Sequence, residues 1–186
     1  KMGYALAVAA RDRGANVILV SGLTELPVPV DVELVTVESA AEMLSAVLLN
    51  QNAADVVIMA AAVADFRPLR TSTSKIKKVE PGTLNVERRI ELEETEDILK
   101  TISRQNGRKN KIIVGFALET DDLEKNALQK LKDKNLDLIV ANGPATFESD
   151  QIKCCIIDRT GKINHLPEQS KKAAANLILD RLQAML

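Results

Sequence analysis

The stretch DVVIMAAAVADFRPLRTSTSKIKK, residues 55–78, decides how the chain is read. It opens as a continuous apolar run of the kind buried on both faces of a parallel sheet. It then passes a lone carboxylate, Asp65, crosses Pro68 and a Thr/Ser run from Thr71 to Ser74, and reaches Lys75, Lys77 and Lys78 around Ile76. A buried strand feeding a loop that gathers positive charge implies that the loop handles an anion.

Outward from this stretch, helix and strand patterns alternate as in a doubly wound α/β sheet. Apolar runs at 16–20 (NVILV), 32–37, 111–117 (KIIVGFA), 136–142 (LDLIVAN) and 152–158 (IKCCIID) read as strands. Helical spacing places Leu6, Ala9 and Ala10 on one face of a first helix that Gly14 stops. Ser39 with Glu42 forms a capping box for a second helix, and Thr95 caps a third that begins EDILK. Helices follow at 121–134 and from about Glu168, and TLNVERRIEL (83–92) alternates like an antiparallel ribbon. The fold class is therefore α/β, a mostly parallel sheet with helices on both faces and a small antiparallel ribbon.

Composition narrows the function. With 186 residues, 46% hydrophobic and 27% charged, residues 1–186 fit one domain. A net charge of −1 argues against nucleic acid or an anionic membrane surface as a partner. No apolar run approaches the roughly 20 residues that cross a bilayer, and no signal peptide is visible, so the cytoplasm is the expected location. Neighbouring strand residues face opposite sides, so Cys154 and Cys155 are expected to be reduced and structural rather than paired. The first residues, KMGYALA, already lie inside a helical pattern without an initiator Met, which implies further chain upstream.

In such a sheet, ligands bind beyond the carboxyl ends of the parallel strands. That rule selects Ser21 and Gly22, Ala60 to Asp65, Gly115 to Glu119, and Ala141 to Gly143. A dinucleotide enzyme would show G-x-G-x-x-G and an acid closing the second strand, yet neither is visible and NVILV ends in Ser-Gly. The P-loop pattern is also missing. The sole histidine, His165, lies in a late polar segment and reads as a surface residue rather than a triad member.

Four separated motifs, KMGYALA…RGANVILVSG, AAAVADFRP…KIKK, VGFALET and KLKDKNLDLIVAN, together resemble the phosphopantothenoylcysteine synthetase family of bacterial coenzyme A biosynthesis, whose members are usually fused behind a flavin-dependent decarboxylase. The resemblance covers nearly the whole chain in order. It implies a Rossmann-like homodimer that uses CTP and Mg²⁺ to join 4′-phosphopantothenate to L-cysteine through an acyl-cytidylate, with FMN confined to the decarboxylase. Relatives of eukaryotic type are thought to use ATP instead. Family members carry an Asn-x-Ser-Ser-Gly phosphate-binding segment before KMG, and the sequence in hand begins after it.

The same resemblance implies the site residues. Lys75 is the lysine of a flap that closes on the phosphates, while Lys77 and Lys78 fit a solvated surface as well. Met59, Ala60 and Ala61 line the cytidine with backbone, although close packing of small residues against the sheet explains them too. Asp65 contacts the nucleotide, with an ordinary loop acid as the plain reading. Phe116 stands beside the nucleotide or packs in the core. Lys130 and Lys134, one helical turn apart, hold phosphates, or serve as solvated lysines. Asp97, Ile98 and Leu99 match a nucleotide-contacting helix start, in which Thr95 and Glu96 replace the family's Asn-Pro. Glu96 adds negative charge near phosphates, which weakens its own claim to a contact. Two other readings stay open: an NAD(P)-type reductase, separable by NADPH binding, and a noncatalytic nucleotide-binding domain, separable by pyrophosphate release.

Overall fold

The computed structural model describes residues 1–75, 89–104, 111–144 and 149–186. Its elements in chain order are α1 (Met2–Asp12), β1 (Ile18–Ser21), β2 (Glu33–Thr36), α2 (Ala40–Asn50), a short 3-10 turn (Gln51–Ala53), β3 (Val56–Met59), β4 (Phe66–Pro68), β5 (Leu92–Glu94), α3 (Ile98–Arg104), β6 (Ile112–Leu118), α4 (Leu123–Asp133), β7 (Leu138–Asn142), β8 (Gln151–Asp158), β9 (Ile163–Ser170) and α5 (Lys171–Gln183). The main sheet has the order β3-β6-β7-β8-β9. β3, β6 and β7 are parallel, and β8 and β9 run antiparallel to their neighbours.

β1 and β2 form a separate parallel pair. Among the described residues, β1 has no strand beside it other than β2, and β3 none other than β6. The pair is held to the rest by side chains: Val20 and Val35 pack into the core that contains Met43, Leu44 and Val47 of α2.

Strand alternation divides the interior in two. One core joins Leu6 and Ala9 of α1 to Ala174, Ile178 and Leu182 of α5, over Val114, Val140, Cys154 and Ile156 of the sheet. The other lies beneath α2, α3 and α4 and contains Ile98, Ile102, Ala127, Leu131, Ile113, Ile139, Cys155 and Ile157. Cys154 and Cys155 thus enter opposite cores, both free and buried, as the alternation predicts. Burial pushes the Cys154 thiol up to about 11, which keeps it protonated and unreactive.

Local signals explain most boundaries. Gly14, at φ 84°, sits just past α1 in the left-handed conformation that ends helices. Ser39 Oγ accepts the Glu42 N–H at 3.2 Å, and Glu42 Oε2 accepts the Glu38 N–H at 2.8 Å, so the capping box is shifted by one residue. Three expectations need correction. Thr95 does not cap α3: its N–H and hydroxyl are spent on Asp65 O and Ala64 O, and Asp97 caps instead. Residues 66–68 form the edge strand β4 rather than loop, paired with β5; of the ribbon expected over 83–92, positions 83–88 lie outside the described residues. The last helix begins at Lys171, because Ile163–Ser170 is strand β9. That strand buries only Leu166 within a polar run containing Pro167, the composition of a sheet edge.

β6, between β3 and β7, is buried from Ile112 through Gly115. A Cβ on Gly115 would stand 2.6 Å from Leu136 Cδ1 and 3.3 Å from Leu99 Cδ1, so glycine is what lets α3 and residue 136 close on the sheet. Gly115→Val should therefore lower unfolding free energy by about 1–3 kcal/mol, the usual range for an overpacked core. Urea denaturation checks this, and a variant as stable as the parent would contradict it.

Candidate functional site

The parallel strands β3, β6 and β7 end at one edge of the sheet, with Met59 opposite Gly115 and Leu118 opposite Asn142. β6 therefore runs past the end of β3, and its next inward residue, Phe116, stands on the same face as Ala60. Both are half-buried against the core under α1 and α5. The first turn of α1 comes close as well: a Cβ on Gly3 would lie 3.9 Å from Ala60 Cβ. First-turn amides of a helix have no partner within it, and the helix dipole makes them favourable to anions. On the opposite face of the sheet, Met59 and Leu99 pack half-buried beside Ile98.

Beyond β3 the chain turns into the ribbon. Asp65 is exposed at its start, and its carbonyl accepts the Thr95 N–H at 2.9 Å, which fixes the ribbon to the entry of α3. Arg67 and Glu93 pair at 2.8 Å on one face of the ribbon. By strand alternation Phe66, Pro68 and Leu92 project from the other, with Glu94 opposite Phe66 at its end. Phe66 is 56% exposed and Ile90, just before β5, 77%. A two-stranded ribbon is marginal alone, so this apolar face is unusual unless something covers it.

Asp97 does two jobs at the start of α3. Its Oδ1 accepts the Lys100 N–H at 3.0 Å, and its Oδ2 meets Lys134 Nζ at 2.9 Å. Burial works against its ionisation, but the Lys100 N–H and the Lys134 ammonium outweigh it, so its carboxyl sits below the ordinary aspartate range. The neighbouring Ile98 is only 4% exposed and sunk in the core. What Ile98 can present to a ligand is backbone rather than side chain.

Lys130 mirrors this arrangement one turn earlier. Its Nζ lies 2.6 Å from Oε1 of Glu119, the residue that follows β6. Both lysines sit at the carboxyl end of α4, where the helix dipole favours positive charge. Two ammonium groups thus stand a turn apart, each paired with a carboxylate from another element. Lys75 lies in the exposed run after β4, beside a local turn in which the Ser72 hydroxyl donates to Ser74 O. Lys77 and Lys78 fall outside the described residues.

The structure thus joins Asp97 to Lys134 and sets Ala60 beside Phe116, while Asp65, Ala61 and Lys75 are exposed. Sequence reasoning took in Glu119 only as the end of the segment 115–119, without a role, and passed over Asn126, although two signals were present. An acid directly follows an apolar strand, and Asn126, Lys130 and Lys134 share one helical face at four-residue spacing. His165, an exposed residue of β9, lies 3.5 Å from Glu124, as its surface reading implies.

The sequence matches the family described as DNA/pantothenate metabolism flavoprotein C-terminal domain across residues 1–186. The coenzyme A biosynthesis bifunctional protein CoaBC of Bacillus subtilis is 44% identical over 190 residues, covering 100% of this chain and 45% of that protein. A cysteine/cysteine sulfinic acid decarboxylase from an unknown prokaryotic organism is 43% identical, covering 96% of this chain and 50% of that protein. The crystal structure of the C-terminal domain of a CoaBC protein superposes with a TM-score of 0.82 at 38% identity, over 99% of this chain and 81% of that one. This chain spans about half the length of the curated relatives it matches.

The double role of Asp97 gives a prediction about stability. Asp97→Ala should cost about 1 kcal/mol at neutral pH, the usual value of a helix cap. Because the folded carboxyl titrates below its unfolded value, the contribution is present above the unfolded pKa, near 3.9, and fades as pH falls through the folded one. Denaturation at pH 7 and at about pH 3 should show the gap between parent and variant narrowing in acid. A gap that widens would contradict this.

Proposed function

The chain belongs to the DNA/pantothenate metabolism flavoprotein C-terminal domain family, and on that premise we propose that it joins 4′-phosphopantothenate to L-cysteine in cytoplasmic coenzyme A biosynthesis, with CTP as the activating nucleotide. The observation that carries the reading is the pair of buttressed ammonium groups, Lys130 with Glu119 and Lys134 with Asp97. They lie beside the helix start that the family uses for its nucleotide.

In this reading a carboxylate oxygen of 4′-phosphopantothenate attacks the α-phosphorus of CTP. The bond from that phosphorus to the bridging oxygen breaks, and pyrophosphate leaves. The cysteine amine then attacks the acyl carbon of the cytidylate, CMP departs, and the amine loses a proton. Both steps crowd negative charge around one phosphorus, so oriented cations and N–H groups matter more than a strong base. Lys130 and Lys134 hold phosphates, and the first-turn amides of α1 face the same strand end. The backbone of Met59, Ala60 and Ala61 lines the base with Phe116 alongside, and Asp65 and the turn Asp97–Leu99 complete the nucleotide contacts.

Mg²⁺ would accompany the triphosphate. Among the described residues no group of three or more His, Cys, Asp or Glu could hold a metal. That fits an ion that keeps its waters and binds mainly through phosphates rather than a protein cage. FMN belongs to the decarboxylase half expected upstream, not to these residues. No described helix is long and apolar enough to cross a membrane.

Lys75 supplies the transition-state cation when it is brought against bound CTP, in a site from which water has been excluded. Lys75→Gln should slow acyl-cytidylate formation about 10²- to 10³-fold, the usual loss for one such donor, while CTP affinity changes much less. Rapid-quench measurement on the full-length protein tests this, and a wild-type rate would return the loop to solvated surface.

The apolar face of Phe66, Pro68 and Leu92 is where a second copy docks, which brings AAVADFRP to a two-fold axis and lets one subunit complete the other's phosphopantothenate site. Light scattering should give a dimer at micromolar concentration and a smaller species for Phe66→Asp. A fully active monomer would contradict this assembly.

A further inference from the structure

Glu119 follows the last residue of β6, and its backbone is fixed there, since its N–H donates at 3.1 Å to the carbonyl of Asn142, the last residue of β7. Its side chain is only 13% exposed. Oε2 accepts the Asn126 amide at 3.4 Å, and Oε1 lies 2.6 Å from Lys130 Nζ. Oε1 is buried, and among the described residues the Lys130 ammonium is the charge that compensates it. Asn126 and Lys130 are four residues apart, so one carboxylate holds two successive turns of the same face of α4.

A carboxylate in this position does little that folding demands. The Lys130 side chain is 46% exposed and could turn into water if its partner were neutral. Nothing in the core requires the charge. What the pair fixes is direction: a long, rotamer-rich side chain is held at one azimuth on α4, a turn from Lys134, which Asp97 holds in the same manner. An ammonium has three donors, and a single carboxylate leaves the others available to phosphate.

We propose that Glu119 is a positioning residue for nucleotide binding, aiming the Lys130 ammonium at a phosphate so that its ordering is complete before the ligand arrives. The inference rests on the reading of Lys130 as a phosphate contact. Ordering such a side chain at binding costs affinity, so loss of the aim should weaken binding about tenfold, or ~1.4 kcal/mol. An opposite effect competes, because removing a nearby negative charge relieves repulsion of the phosphate. In the proposed arrangement the ammonium would stand between the two anions and screen one from the other, which makes the positioning effect the larger.

The test is CTP titration by calorimetry on the full-length protein and on Lys130→Ala, Glu119→Gln and the double variant, with thermal unfolding to verify folding. Lys130→Ala should weaken CTP binding, and Glu119→Gln should do so about tenfold. The double variant should bind no worse than Lys130→Ala, because Glu119 acts only through the lysine. In turnover, Glu119→Gln should raise the KM for CTP and leave kcat nearly unchanged. Glu119→Asp, which keeps the charge but draws it back by one methylene, should fall between parent and Gln, and it replaces Gln if that variant does not fold. Wild-type or tighter affinity in Glu119→Gln, or losses that multiply in the double variant, would overturn the inference while leaving Lys130 in place. Unchanged affinity in Lys130→Ala would overturn the phosphate reading and the inference with it.

Discussion

The enclosure of β6 on both faces governs the arrangement around it. Val114 enters the core under α1 and α5, and Ile113 and Ala117 enter the core under α2, α3 and α4. The strand can be covered so closely only because Gly115 leaves room for Leu136 and Leu99. Leu99 belongs to the helix that Asp97 caps, and Glu119 is the first residue past the strand. The packing at Gly115 and the two carboxylates that hold lysines are therefore linked through a few residues of rigid backbone. A site built from such elements is better preorganised than one built on loops alone.

Charge is used sparingly in that site. An exposed lysine such as Lys130 gains little stability from an ion pair, so on the proposed reading its pair with Glu119 serves geometry more than stability. The ribbon of β4 and β5 is the opposite case, with ordinary polar pairing on one face and bare apolar side chains on the other. At its base the Asp65 carbonyl accepts the Thr95 amide and the Ala64 carbonyl the Thr95 hydroxyl, between the loop leaving β3 and the entry of α3. Anything that seats on the ribbon would bear directly on the loop leaving β3.

The apolar strands were legible because burial on both faces writes an unbroken run: 55–61 and 136–142 contain the observed strands, and 111–117 contains all of β6 but its last residue. Strand β9 was not, since an edge strand that buries one leucine carries no period a sequence can display. Thr95 misled for a different reason. Threonine caps helices well, but here its hydroxyl is taken by a contact 31 residues away in sequence, which no local pattern encodes. The candidate site divides similarly. Lys130 and Lys134 were visible from spacing and family likeness, whereas Glu119 acquires meaning only when α4 folds back across the end of β6. The family itself was legible from four motifs, and the match along residues 1–186 agrees with it.

The central claim is that two buttressed lysines on α4 receive the phosphates of a cytidine nucleotide. A crystal structure of the full-length protein with CTP tests it most directly. The account predicts Lys130 and Lys134 within hydrogen-bond reach of phosphate oxygens, with Glu119 and Asp97 still against them and Phe116 beside the base. A triphosphate bound elsewhere, with both lysines still turned only to their carboxylates, would contradict it.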